Sequence, residues 1–216
     1  MPTVTQARQK IQLKTTNTIN LRGEVTSESM NKLSMKIYEK YLLNPGKPIY
    51  LVLNTPGGSL DAGSTFIESV KFVPNLHTIT IRSYSMGHII VQSLPGKRYI
   101  ISNGTMMAHR PSGTFRGTFG DGIIETNLKF WTSIWKRFVD ISAKRIGITP
   151  KEYNKRIKDE WWTTATQSVE QNTADEIVDL RCSMKLIKSQ EEKVVETLFG
   201  TRVFTFSGCP LIEYPI

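Results

Sequence analysis

The chain reads as an α/β protein built on a layered, parallel-type sheet, and three observations predict it. Short β-branched runs alternate with segments of helical period, in the order strand, helix, strand, helix. Turn chemistry separates them, in Asn44-Pro-Gly-Lys-Pro and in Thr55-Pro56-Gly57-Gly58. Repeated βαβ units of this kind imply right-handed crossovers. In such a sheet, groups at the carboxyl ends of the strands converge on one crevice. At 216 residues, with 39% apolar and 22% charged residues, the chain suits one domain with a sizeable core.

The elements follow in order. Thr18–Val25 reads as a strand. Residues 28–43 carry Met30, Leu33, Ile37, Tyr41 and Leu42 at helical spacing. Ile49–Asn54 is a buried strand, and Leu60–Val73 an amphipathic helix with Leu60, Ser64, Ile67 and Val70 near one face. His77–Arg82 alternates as a strand and runs into Ser85, where a helix starts at Met86. Arg98–Ser102 and Thr105–His109 read as two short strands. A Gly/Thr-rich loop, 112–120, precedes a long helix at about 121–146. That helix has an apolar stripe (Ile123, Ile124, Leu128, Trp131, Ile134, Trp135, Phe138, Ile141) too wide for one surface helix on one core. Thr149-Pro-Lys-Glu reads as a capping box with proline at the first helical position, opening a short helix toward Asp159. Ser183–Phe199 reads as an amphipathic helix stopped by Gly200, Val203–Phe206 as a strand, and Cys209–Ile216 as an apolar tail with two prolines.

Ser85 at a strand-to-helix turn is the first chemical signal. There the hydroxyl sits beside free backbone N–H groups and the positive end of a helix, which favour a developing oxyanion. The bland reading is an ordinary helix cap. Gly57 and Gly58 either form a plain turn or let backbone approach a ligand and point an N–H at it. His109 ends an apolar run just before Arg110-Pro111 and is either a structural histidine or a base.

Four motifs then combine. NTPGG (54–58), SMG (85–87), MMAHRP (106–111) and KDEWWTTA (158–165) resemble, in order and spacing, the ClpP family of Clp protease proteolytic subunits. RGEV (22–25) also resembles the end of that family's first strand, and the resemblance covers about residues 8–181. It implies a ClpP/crotonase-like superhelical fold of layered βαβ repeats. The long helix would be the handle through which two rings stack. Residue by residue, Ser85 matches the nucleophile, His109 the general base and Asp159 the carboxylate that orients it. The backbone N–H groups of Gly58 and Met86 match the oxyanion hole. The set is chemically coherent, since a serine hydroxyl needs a neighbouring base, and a carboxylate fixes the imidazole tautomer. Asp140, Glu152 and Glu160 remain bland alternatives to Asp159. His88, near the same helix face as Ser85, stands where the family has a small or apolar residue. It reads as a local polar contact.

The function expected from the resemblance is a serine endopeptidase acting on unfolded polypeptide or peptides inside an oligomeric chamber, through an acyl-enzyme on Ser85. It implies no metal or organic cofactor, a homo-oligomer of stacked rings, and a separate AAA+ unfoldase that consumes ATP. The chain has no phosphate-loop motif of its own. Two other readings stand beside it: a non-catalytic or regulatory ring subunit, and a crotonase-type acyl-transfer enzyme. The segment before RGEV lacks the family's axial-loop pattern, which bears on unfoldase docking. Residues 1–181 are expected to form the protease domain. Residues 182–216 would be an extension packed on the core or on a neighbouring subunit, covering a surface such as an unfoldase docking site.

Charge and cysteines bound the rest. Net charge is +9 and the pI about 9.6, so nucleic acid is the obvious rival partner. The densest basic stretch, Lys136 to Lys158, holds interleaved acids and no nucleic-acid-binding signature, so a solvated helix face or docking of an acidic partner is expected. No run of 18 apolar residues predicts a membrane span, and the N-terminus has no signal-peptide core. Cys182 and Cys209 follow no metal or redox spacing and are expected as free thiols in a reducing cytoplasm.

Overall fold

The computed structural model describes residues 8–112, 122–197 and 200–215. Its centre is a seven-stranded sheet in the order β1-β7-β5-β4-β3-β2, with β6 paired to β5 off this path. The strands on the path are β1 (Gln9–Leu13), β2 (Thr18–Arg22), β3 (Ile49–Thr55), β4 (Leu76–Tyr84), β5 (Arg98–Ala108) and β7 (Glu176–Cys182), all parallel to their neighbours. β6 (Trp161–Thr164) pairs antiparallel. Helices α1 (Ser27–Leu43), α2 (Leu60–Val70) and α3 (Met86–Ser93) are the crossovers between β2, β3, β4 and β5. The layered βαβ order expected from the sequence is the order observed.

Strand alternation divides the apolar residues between two faces. Ile49, Leu51 and Leu53 of β3 join Phe66, Ile67 and Val70 of α2 and Met30, Leu33 and Ile37 of α1 in the main core. Val52, Ile79, Ile81 and Tyr99 point to the opposite face, with Ile11, Leu13, Val178 and Leu186. A third cluster joins Val139, Ala143 and Ile146 of α4 (Ile123–Ile146) to Tyr153 of α5 (Pro150–Arg156), and to Ile157 and Trp161. Cap chemistry sets the helix starts. Thr26 and Ser29 form a capping box on α1, and Thr149 caps α5, with Pro150 in its first turn.

Several expectations change. The two strands read at 98–102 and 105–109 are one strand, β5. Its pairing register with β4 slips between Thr80 and Arg82, and that slip is what the sequence presents as a break. The helix from Leu60 stops at Val70. The Gly/Thr-rich loop at 112–120 lies almost wholly outside the described residues, whereas α4 begins at Ile123. The amphipathic helix expected at Ser183–Phe199 is instead a single short helix, α7 (Met184–Lys188), followed by β8 (Gln190–Thr197). β8 pairs antiparallel with β9 (Gly200–Ser207). Cross-strand pairing along the hairpin outweighs the helical spacing of the apolar residues. α6 (Ala165–Glu170), β1, β6 and β7 add elements not read from the sequence.

The cysteines are the clearest correction. Cys182 and Cys209 are not free thiols but a disulfide, with Cα atoms 5.9 Å apart. Cys182 ends β7, and Cys209 follows β9 as the chain returns to the sheet. Asn20 and Arg22 of β2 hold the return by donating to the carbonyls of Gly208 (2.7 Å) and of Ser207, Cys209 and Ile212 (2.7–2.9 Å). Among the described residues, no helix is long and apolar enough to cross a membrane.

Candidate active site

Register brings Ser85 and His109 together. β4 and β5 run parallel with Tyr84 opposite Met107. Ser85 is therefore the first residue past β4, and His109 the first past β5, at the same end of the sheet. The Ser85 N–H donates to Met107 O (2.8 Å), which ties the turn to β5. Ser85 Oγ lies 2.7 Å from His109 Nε2. Both side chains are half-buried, open enough to meet a substrate.

The Ser85 backbone has φ 53° and ψ −117°, a conformation a non-glycine residue holds only when its surroundings impose it. Its side chain makes no capping hydrogen bond to α3, so the helix-cap reading of this serine does not hold. The hydroxyl is aimed at the imidazole instead.

Gly57 and Gly58 cross directly beside this turn. Gly57 has φ +98°, and a Cβ there would sit 2.7 Å from both Ser85 Cβ and Tyr84 O. Gly58 has φ +145°, and a Cβ there would meet Val25 O at 2.5 Å. Only glycine fits either place. Of the two glycines expected to bring backbone close, Gly57 is the one that meets Ser85, while Gly58 packs on Val25. The Gly58 N–H and the Met86 N–H, the first of α3, have no backbone acceptor among the described residues.

Asp159 lies at the end of a single 3-10 turn, Ile157–Asp159. It is exposed, and no hydrogen bond joins it to His109. The chain passes from it through Glu160, at φ +65°, into β6, where Trp161 pairs with Ala108. The Asp159 segment thus runs antiparallel beside the end of β5 that carries His109. Glu160 accepts from Trp162 Nε1 (2.9 Å). The other carboxylates are engaged elsewhere, Asp140 with Lys136 and Glu152 with Arg156.

His88 does not make the local polar contact expected of it. It is 2% exposed in α3, against the rings of Tyr153 and Trp161, and neither ring nitrogen has a partner among the described residues. Burial, with the Arg98 charge adding to it, lowers its pKa to about 3. It stays neutral at physiological pH and forms part of the wall behind the turn. Tyr84 flanks the site with an edge-on contact to Trp162 (4.9 Å) and a 2.7 Å hydrogen bond to Thr105 Oγ1. Among the described residues, no cluster of three or more His, Cys, Asp or Glu is placed to hold a metal.

A serine hydroxyl on an imidazole, beside unengaged N–H groups, is an arrangement for acyl transfer. Comparison with known proteins agrees. The family model for Clp protease matches residues 5–181. The ATP-dependent Clp protease proteolytic subunit 1 of Leifsonia xyli subsp. xyli is 32% identical over 160 residues, 73% of this chain and 80% of the relative. Subunit 2 of Tropheryma whipplei is 33% identical, over 68% of this chain and 84% of its own. Subunit 1 of Chlamydia trachomatis serovar D is 29% identical, over 71% and 82%. With its motifs, its parallel βαβ layers and these matches, the chain belongs to the Clp protease family, peptidases on the ClpP/crotonase-like fold.

Proposed function

We propose that the chain is a serine endopeptidase that cleaves unfolded polypeptide through an acyl-enzyme on Ser85. The observation that carries this reading is the 2.7 Å contact between Ser85 Oγ and His109 Nε2, made by a serine in a conformation that withdraws it from capping.

His109 Nε2 takes the Oγ proton as Oγ attacks the scissile carbonyl carbon. The oxyanion accepts from the N–H groups of Met86 and Gly58. Collapse breaks the C–N bond, and the imidazolium returns the proton to the leaving amine. Water, deprotonated by His109, then hydrolyses the ester and frees Ser85. Asp159 is proposed to orient His109 through Nδ1. Support comes from the register, which leads its segment back along the end of β5, and from the engagement of Glu160 with Trp162.

The assembly proposed is a homo-oligomer of stacked rings. Ile123, Ile124, Leu128 and Phe130 near the start of α4 are 46–55% exposed, an apolar face that a second copy would cover. The relatives named as ATP-dependent support a separate AAA+ unfoldase as the source of unfolded substrate. The extension 182–216 is proposed to pack on the protease domain; Leu186 joins the cluster of Ile11 and Val178, and Asn20 and Arg22 donate to the carbonyls of Ser207, Gly208, Cys209 and Ile212.

The test is labelling of the purified protein with a fluorophosphonate probe and peptide mapping of the adduct, with Ser85→Ala and His109→Ala alongside. An adduct on Ser85 that is lost in both variants is expected. No adduct on a folded, oligomeric wild-type protein would favour the non-catalytic ring subunit.

A further inference from the structure

The opposite face of the sheet ends in a groove that the chain fills with its own C-terminal segment. Ile81, Ile101 and Asn103 line one side and residues Pro210 to Tyr214 the other, around an open cleft of about 580 Å³. The segment is held most firmly at its Cys209 end. Ser207 to Pro210 are buried. Ser207 Oγ donates to Ile187 O (2.7 Å), Gly208 N–H to Ser189 O (2.8 Å), and Cys209 N–H to Ser207 Oγ (3.1 Å). Beyond Cys209, Arg22 still donates to Ile212 O (2.8 Å) and Pro215 bridges Phe206, but the side chains are less buried. Leu211 is 45% and Tyr214 82% exposed. The Glu213 carboxylate meets only exposed groups, accepting from Asn54 Nδ2 (3.1 Å) and lying 3.7 Å from Arg82. Such exposed pairs hold little.

We propose that residues 207–214 are a strap, that the Cys182–Cys209 disulfide is its lock, and that a dithiol opens it. The step balances. A thiolate of the dithiol attacks the sulfur of Cys182, which is half-buried where Cys209 is buried, and Cys209 leaves as a thiolate and takes a proton. The second thiol of the reductant then displaces Cys182. The two cysteines gain two electrons and two protons, and the dithiol becomes a disulfide.

The lock matters because of the length of chain it closes. Cys182 and Cys209 are 27 residues apart. Against a wholly unfolded loop of that length the link is worth about a few hundred-fold; with the β8–β9 hairpin formed inside the loop, its hold on the strap is a part of that. With the bond made, the groove belongs to the strap. With it open, the apolar floor at Ile81 and Ile101 and the polar edge at Arg22, Asn54 and Arg82 become available to another extended segment of the same chemistry: apolar, with one carboxylate.

Hydrogen exchange on the full chain tests this, before and after treatment with dithiothreitol, with intact mass reporting the state of the bond. On reduction, the amides of Gly208, Cys209 and Ile212 are expected to exchange about a hundred-fold faster or more, while those of Leu51 and Leu53 in the core do not change. Cys209→Ser and Cys182→Ser are each expected to reproduce this without reductant. A fluorescent peptide of residues 207–214, with serine in place of its cysteine, is expected to bind the reduced protein and not the oxidised one. Unchanged protection after complete reduction would overturn the proposal, as would free thiols in the air-oxidised protein. None of these readouts depends on hydrolysis, so they stand apart from the fate of Ser85.

Discussion

Replacing His88 by leucine tests the reading of the wall behind the site. The imidazole is 2% exposed, has no hydrogen-bond partner among the described residues, and lies near the Arg98 guanidinium, which is itself used by Gln92, Asn172 and Asp175. Its folded pKa is about 3, against 6.5 for an ordinary imidazole. The sign follows from which state binds the proton. Below pH 6.5 the unfolded chain takes it up and the folded chain does not, so stability falls as pH drops from about 6.5 toward 3. At about pH 5 the loss from this one group is about 2 kcal/mol, from the ratio of the two binding terms. His88→Leu keeps the volume and removes the titration. Urea unfolding followed by far-UV circular dichroism, on both proteins at about pH 8 and pH 5, reads the difference. The variant is expected to gain about 2 kcal/mol on the wild type between those two values. Parallel profiles, with the gap constant to within about 0.5 kcal/mol, would refute the claim that His88 is buried neutral.

Other perturbations probe the remaining links. Asp175→Ala leaves the Arg98 guanidinium, 2% exposed, without its carboxylate though still bonded to Gln92 and Asn172, and is expected to cost about 2–3 kcal/mol in urea unfolding. In the wild type, burial alone would raise the Asp175 carboxyl, but Arg98 outweighs this and holds it below the usual range. That contribution is present at neutral pH and is lost as pH falls through the lowered value. Gly57→Ala drives a Cβ into the Ser85 turn and is expected to slow fluorophosphonate labelling at least about a hundred-fold in a protein that still folds; normal labelling would mean that the turn yields freely. Asp159→Asn is expected to lower kcat for a fluorogenic peptide by about 10²–10⁴-fold, while Glu160→Gln changes it little. The reverse pattern would move the orienting role to Glu160.

The first half of the chain was the more legible. β3, β4, α1 and the Ser85 turn rest on local signals: β-branched runs, helical spacing and Pro-Gly turns. Parallel pairing of consecutive strands then follows from crossover handedness. Where pairing is made by distant segments, the local signal fell short. The four-residue β6 is too short to read, yet its pairing with β5 sets Trp161 opposite Ala108, next to His109. Residues 183–199 have apolar spacing that suits a helix, but the pairing of β8 with β9 decides otherwise. The cysteines carry no spacing signal at all, because their meeting depends on the return of the chain after β9 to Asn20 and Arg22 of β2.

What the sequence determined by itself is the layered α/β class and which residue types stand at the ends of β4 and β5, since both follow from chemistry within a few neighbouring residues. The tertiary structure alone decided the Ser85–His109 contact, the close passage of Gly57, the burial of His88 and the joining of Cys182 to Cys209. Each of these depends on the register and packing of strands far apart in the chain, which spacing along one sequence does not encode.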